Sequence, residues 1–115
     1  MKYEPFNEID NILEDWCEDY QLKIYKEYKD YEVRWIPIID NQGTKYELSI
    51  ELREDSEFKV NLFWLDDTDK RITRLRNKKE WSKETNKENL EETLTEAYTV
   101  FKFWMKEIDH KREFI

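Results

Sequence analysis

Apolar residues recur along this chain with two different periods, and the change of period separates helices at the two ends from strands between them. Phe6, Ile9, Leu13, Trp16 and Tyr20 are spaced by three, four, three and four residues. That spacing is one face of a helix, and it predicts a helix over residues 7–19 with Asn7 as N-cap and Asp10 three residues on. Leu90, Leu94, Ala97, Phe101, Trp104 and Ile108 make a longer stripe of the same period. It predicts a helix over 85–108, opened by Thr85 and Glu88 in the S/T-x-x-E relation of a capping box.

The middle of the chain alternates instead. Val33, Trp35, Ile36, Ile38 and Ile39 form a β-branched and aromatic run, and Pro37 within it restricts that strand to an edge or a bulge. Asp40-Asn41-Gln42-Gly43 is a turn, with Gly43 supplying a positive φ. Tyr46, Leu48, Ile50 and Leu52 alternate with Glu47, Ser49, Glu51 and Arg53, the cleanest half-buried strand in the chain. Phe58, Val60, Leu62 and Trp64 alternate with Lys59, Asn61, Phe63 and Leu65. The last two are apolar, so this strand is either covered on both faces near its end or carries an exposed patch. Residues 71–76 read as a short edge strand. Residues 22–28 fit a strand better than a continued first helix, although Ile24, Tyr28 and Tyr31 keep a helical spacing.

The resulting expectation is a single α+β domain over residues 1–115. It has an N-terminal helix, an antiparallel meander of four or five strands, and a long C-terminal helix packed on one face of the sheet. Both helices are expected on that face, with Trp16, Trp35, Trp64 and Trp104 converging there.

Composition changes this picture in one respect. Charged residues make up 42% of the chain and hydrophobic residues only 38%, a balance that taken alone leans toward disorder. Five Trp, seven Tyr and six Phe at regular spacing argue instead for a folded domain with a highly charged surface. The single glycine excludes a glycine-rich phosphate loop, and the single cysteine, Cys17, excludes an internal disulfide or a cysteine zinc cluster. No stretch approaches the roughly 20 apolar residues of a membrane span, and the first residues lack a signal peptide's apolar core. A cytoplasmic protein is expected, with no membrane contact and no cofactor.

Charge is unevenly placed. Of the net −8, residues 1–69 carry −11, residues 70–83 carry +6 and residues 84–115 carry −3. The protein is an acidic body with one basic band: Lys70, Arg71, Arg74, Arg76, Lys78, Lys79 and Lys83. One reading has the band neutralising the acidic helix beside it. Another has it contacting phosphates or an acidic partner. Direct nucleic-acid binding is not expected of a chain this acidic.

Candidate chemistry is sparse. His110, the only histidine, falls at the end of the last helix, and its spacing pairs it with no serine or cysteine nucleophile. Cys17 beside Trp16 reads as an inert buried thiol. Asp66, Asp67 and Asp69 offer oxygen ligands, but they lack the glycine and glutamate of an EF-hand and suit a tight turn. Tyr20, Tyr25, Tyr28, Tyr31 and Trp35 interleave with Lys23, Lys26, Lys29 and Arg34, a pattern shared by stacking surfaces, interface anchors and amphipathic sheet faces.

In composition the chain resembles short, glycine-poor, Lys/Glu/Asn-rich acidic proteins of mobile elements in low-GC bacteria, many of them immunity proteins or phage inhibitors of host defences. The function expected is that of a small acidic protein-binding inhibitor, of immunity-protein or phage anti-defence type (anti-CRISPR proteins are one example). It would block a nuclease, toxin or host defence effector by occupying its basic surface. Glu14, Asp15, Glu18, Asp19, Asp66, Asp67 and Asp69 are the expected contacts, with Tyr25 and Phe63 as apolar anchors, in a monomer or homodimer. The alternative is a small ligand-binding or catalytic domain with a pocket between sheet and helix.

Overall fold

The computed structural model describes residues 4–25, 33–53, 57–74 and 79–114, with side chains in the first helix from Glu8 onward. Helix α1 (Glu4–Asp19) leads into strands β1 (Val33–Ile39), β2 (Lys45–Leu52) and β3 (Glu57–Asp66). A one-turn helix α2 (Lys70–Thr73), strand β4 (Glu80–Asn86), a 3₁₀ turn (Lys87–Asn89) and the long helix α3 (Leu90–Arg112) follow. The strands form one antiparallel sheet in the order β1-β2-β3-β4, the meander that short connections favour.

Alternation along the strands decides which face is covered. Ile36, Ile38, Tyr46, Leu48, Ile50, Phe58, Val60, Leu62 and Trp64 point to one face and are buried. Ile9, Leu13 and Trp16 of α1 and Leu90, Leu94, Ala97, Phe101, Trp104 and Ile108 of α3 cover them. Each large aromatic removes on the order of 150–250 Å² from water, so a few such rings carry much of the core. Trp16, Tyr20, Tyr98 and Phe101 form a run of ring contacts with centroids 4.4–6.0 Å apart, and Phe101 meets Tyr46 edge-on at 4.8 Å. The Trp16 indole N–H donates to Thr95 Oγ1 at 3.2 Å and ties α1 to α3.

A buried cation ties α1 to the sheet. Arg34, on the covered face of β1 and 2% exposed, donates from Nε and Nη2 to the two Asp10 carboxylate oxygens at 3.0 and 3.3 Å. A desolvated guanidinium needs such a forked partner, and removing the carboxylate would strand it.

Both ends of the β1–β2 connection follow from local chemistry. Asp40 Oδ1 accepts from the Gln42 and Thr44 amides at 2.9 Å each, and Gly43 takes φ +84°. A Cβ on Gly43 would lie 2.9 Å from Thr68 Oγ1, so the turn sits hard against the loop after β3.

Several expectations are corrected. The first helix begins at Glu4 rather than at Asn7, and Pro5 falls in its first turn, where a missing N–H is tolerated. Among the described residues between α1 and β1, Tyr25 forms an isolated bridge, exchanging backbone hydrogen bonds with Trp35 at 2.8 and 3.3 Å. Residues 26–28 of the expected strand lie outside the described residues. The edge strand expected at 71–76 is α2 instead over Lys70–Thr73, because Asp69 Oδ1 accepts from the Arg71 amide and caps a helical turn; residues 75 and 76 lie outside the described residues. The fourth strand is Glu80–Asn86. Thr85 therefore lies in β4 and opens no helix, and the capping is done by Asn86, whose side chain accepts from the Asn89 amide. Trp35 lies on the face opposite the helices, since odd-numbered positions of β1 point there. Leu65 is the extra residue of a bulge where the β2–β3 register shifts, and it is 40% exposed.

Helix α1 ends without a glycine. The Leu22 amide donates to the Cys17 carbonyl at 2.7 Å, and Gln21 takes φ +57°, a left-handed capping conformation usually given to glycine. Gln21→Gly should therefore stabilise the fold by about 1 kcal/mol, less the extra unfolded-state freedom of glycine. The shift of the urea midpoint at unchanged m-value measures it.

Candidate partner-binding surface

Helix α1 carries Glu4, Glu8, Asp10, Glu14, Asp15, Glu18 and Asp19 and no lysine or arginine. The helix thus holds seven negative charges in a chain whose net charge is −8. Ile9, Leu13, Trp16 and Cys17 turn inward, while Glu8, Asn11, Glu14, Asp15, Glu18 and Asp19 are exposed. Asp10 is occupied by Arg34. Among the described residues Glu8, Asp15, Glu18 and Asp19 enter no ion pair.

This arrangement works against the helix. Glu14 and Glu18, and Asp15 and Asp19, are like charges four residues apart, and such pairs cost roughly 0.2–0.5 kcal/mol each. Glu18 and Asp19 close the helix, where the macrodipole is negative, and its last turn holds no basic residue. Asp15, Glu18 and Asp19 thus add repulsion, not support, to the end of the helix.

The second expected acidic group is built quite differently. Asp67 follows β3 and is buried, its side chain wholly hidden from solvent. Its Oδ2 accepts from the Thr44 hydroxyl and from Arg112 Nη2, and its Oδ1 accepts from the Asp69 amide at 2.7 Å. Arg112 Nη2 also donates to Thr44 Oγ1 at 2.8 Å. Burial by itself would push the Asp67 carboxyl up; the bonds from Arg112, Thr44 and the Asp69 amide outweigh it and hold the carboxyl below its ordinary 3.8. Asp67 is thus closed to a partner. Asp69 is engaged by Arg71 Nε and Nη2 at 3.2 and 2.9 Å, and Asp66 is half-buried. Among the described residues no three metal-ligating side chains are grouped to hold an ion.

The remaining residues are scattered. Tyr25, past the end of α1, is 38% exposed. Phe63 lies on the face of the sheet opposite the helices, so one flat partner surface cannot meet it and α1 together. Lys70, Arg71 and Arg74 are exposed around α2, whereas Arg76 and Lys78 lie outside the described residues. Lys79 is held by both Glu107 oxygens at 2.9 and 3.0 Å, and Lys83 by Glu96 at 2.7 Å, so this part of the basic band is neutralised by α3. His110 is exposed, its ring 5.0 Å from that of Phe114. Cys17 is buried, and burial followed by the Glu14 charge pushes its thiol up to about 11, too high for a thiolate nucleophile.

Grooves on the described surface measure about 170–270 Å³. Each of these four falls short of the roughly 300 Å³ where small-ligand sites begin. The space between sheet and helices is filled by aromatic and aliphatic side chains. Comparison with family models, curated proteins and solved structures returns no match.

Beside the Asp67–Arg112 pair lies a second carboxylate in the opposite condition. Burial, then the charge of Asp40, pushes the Asp109 carboxyl above 3.8, against the pull of Arg112, whose Nε is 3.8 Å away. A raised acid contributes stability that is full below its unfolded pKa and is lost as pH rises through the folded value. Asp109→Asn should therefore melt above the parent at pH 7, with the gap closing toward pH 3.8. Asp67→Asn should melt below the parent at pH 7, and its deficit should shrink only below 3.8. Thermal melts of both variants across this range read the two signs.

Proposed function

We propose that this protein is a stoichiometric inhibitor whose acidic first helix occupies the basic surface of a nuclease or another nucleic-acid-handling enzyme, in the manner of an immunity protein or a phage anti-defence protein. The observation that carries this reading is the exposed row Asp15, Glu18 and Asp19, beside Glu14, kept at the wrong end of the helix dipole with Asp15 and Asp19 as like charges at four-residue spacing. Residues that break a local rule without a local gain mark functional sites. A row of carboxylates on a rigid helix imitates the spaced charges of a phosphate backbone and speeds encounter with a basic partner. Tyr25 is the nearest exposed aromatic in sequence and is the candidate anchor beside the row.

Stability and binding should separate on charge reversal. Asp15→Lys/Glu18→Lys/Asp19→Lys removes repulsions and places cations at the negative end of the dipole, so its Tm should rise by about 2–8 °C at low salt. The same variant, immobilised beside the parent and exposed to bacterial lysate at low and high salt, should lose a nuclease-class protein that the parent retains at low salt and inhibits one to one. Equal retention by both, or retention of no basic protein by the parent, would sink the proposal.

A further inference from the structure

The two edges of the sheet are treated unequally. The Asp40 amide donates to the Thr44 carbonyl, so even-numbered residues of β1 turn their backbone groups toward β2 and odd-numbered ones turn outward. On that outer edge Trp35 is already paired with Tyr25, and Pro37 has no N–H to offer. Both are recognised ways to blunt a sheet edge.

At the other edge the Trp64 amide donates to the Lys79 carbonyl at 3.1 Å. With the β3–β4 register this turns the backbone groups of Trp81, Lys83 and Thr85 toward β3, and those of Glu80, Ser82 and Glu84 outward. Among the described residues no backbone hydrogen bond reaches that outer edge. Nor does it carry proline or a bulge, and its one lysine, Lys83, is drawn across the covered face to Glu96. Seven residues of β4 are thus left as an open template.

Grooves flank this edge on both faces. One of about 260 Å³ lies on the face opposite the helices, between Lys59, Asn61, Phe63, Glu80 and Ser82. Another of about 270 Å³ lies toward α3, lined by Lys83 and Glu84 as well as by Thr85, Asn89, Glu92 and Thr93. An added strand sends successive side chains to opposite faces, so each groove would receive every second one. Glu80, Glu84 and Glu92 line the grooves together with Lys59 and Lys83, but Lys59 lies between Glu51 and Glu84 and Lys83 is paired with Glu96, so negative charge is in excess along the edge.

We propose that the outer edge of β4 is a strand-addition site for an extended, lysine- or arginine-bearing segment of a partner protein. Charge selects this occupant over a second copy. Two chains of −8 repel, and face-matched self-pairing sets Lys83 against Lys83 or Glu80 against Glu84. This edge is separate from α1, and the inference stands whether or not α1 meets a nuclease.

The probe is a blocked nine-residue peptide alternating lysine and valine, with a copy N-methylated throughout that keeps the charge but loses every backbone donor. The unmethylated peptide should bind the full chain saturably, shift the Ser82 and Glu84 amide resonances, and protect them from solvent exchange. The methylated copy should bind at least tenfold more weakly, as should the parent peptide to Ser82→Pro, which removes one outward N–H and no β3–β4 bond. Glu80→Gln/Glu84→Gln, which removes both charges without setting a lysine opposite Lys59, should weaken binding severalfold while leaving the fold's melting within a few degrees of the parent. Equal binding of the methylated copy, shifts confined to α1, or a peptide-free dimer with β4 amides already protected would each overturn the proposal. Failure here would show at β4, whereas failure of the inhibitor reading would show in partner retention by the α1 variant.

Discussion

The buried carboxylate of Asp67 is the contact on which the far end of this fold depends. It joins three segments distant in sequence: Thr44 just before β2, the loop after β3, and Arg112 in the last turn of α3. A desolvated charge is costly unless it is paired and hydrogen-bonded, and Asp67 is both. The geometry around it is correspondingly narrow. Gly43 sits so close to Thr68 that no Cβ fits without movement, which holds the β1–β2 turn against the loop that presents Asp67. At the opposite side Arg34 and Asp10 do the same for α1. The helices are therefore laid on the sheet by apolar stripes and located on it by two arginine–carboxylate forks.

That division explains what could be read from the chain. The stripe from Leu90 to Ile108 and the alternation from Tyr46 to Trp64 are repeated signals, each position supporting the next, and all of the stripe residues are buried. β4 was illegible for the opposite reason. Its sequence, Glu-Trp-Ser-Lys-Glu-Thr-Asn, has one apolar residue, Trp81, which packs against the core, and beyond it the covered face meets α3 through Lys83–Glu96 and Thr85–Thr93. Periodicity methods see nothing in such a strand. Lys70–Thr73 is equally opaque, being one turn that owes its existence to the Asp69 cap.

The candidate contacts divide along the same line. Composition marks carboxylates without saying which are spent. Asp67 and Asp15 look alike in the sequence, yet one lies within hydrogen-bonding reach of Arg112 and Thr44, 45 and 23 residues away, and the other faces solvent. Only long-range geometry distinguishes them. For α1 the local pattern did carry information, since like charges at four-residue spacing with no basic residue in the last turn can be read directly.

A helix so arranged can persist only if its stability comes from elsewhere. Ile9, Leu13, Trp16 and Cys17 are each at most 3% exposed, and burying a large apolar side chain contributes roughly 1.5–3 kcal/mol. Against that, a few like-charge pairs at roughly 0.2–0.5 kcal/mol each are affordable. The inner face of α1 therefore suffices to hold the helix without help from Asp15, Glu18 and Asp19. The same reasoning applies to β4, where β3 and α3 hold the strand by one edge and one face. In α1 buried apolar groups secure the backbone, and in β4 the ladder with β3 and the polar contacts to α3 secure it, so neither element depends on its outward side for its place in the fold.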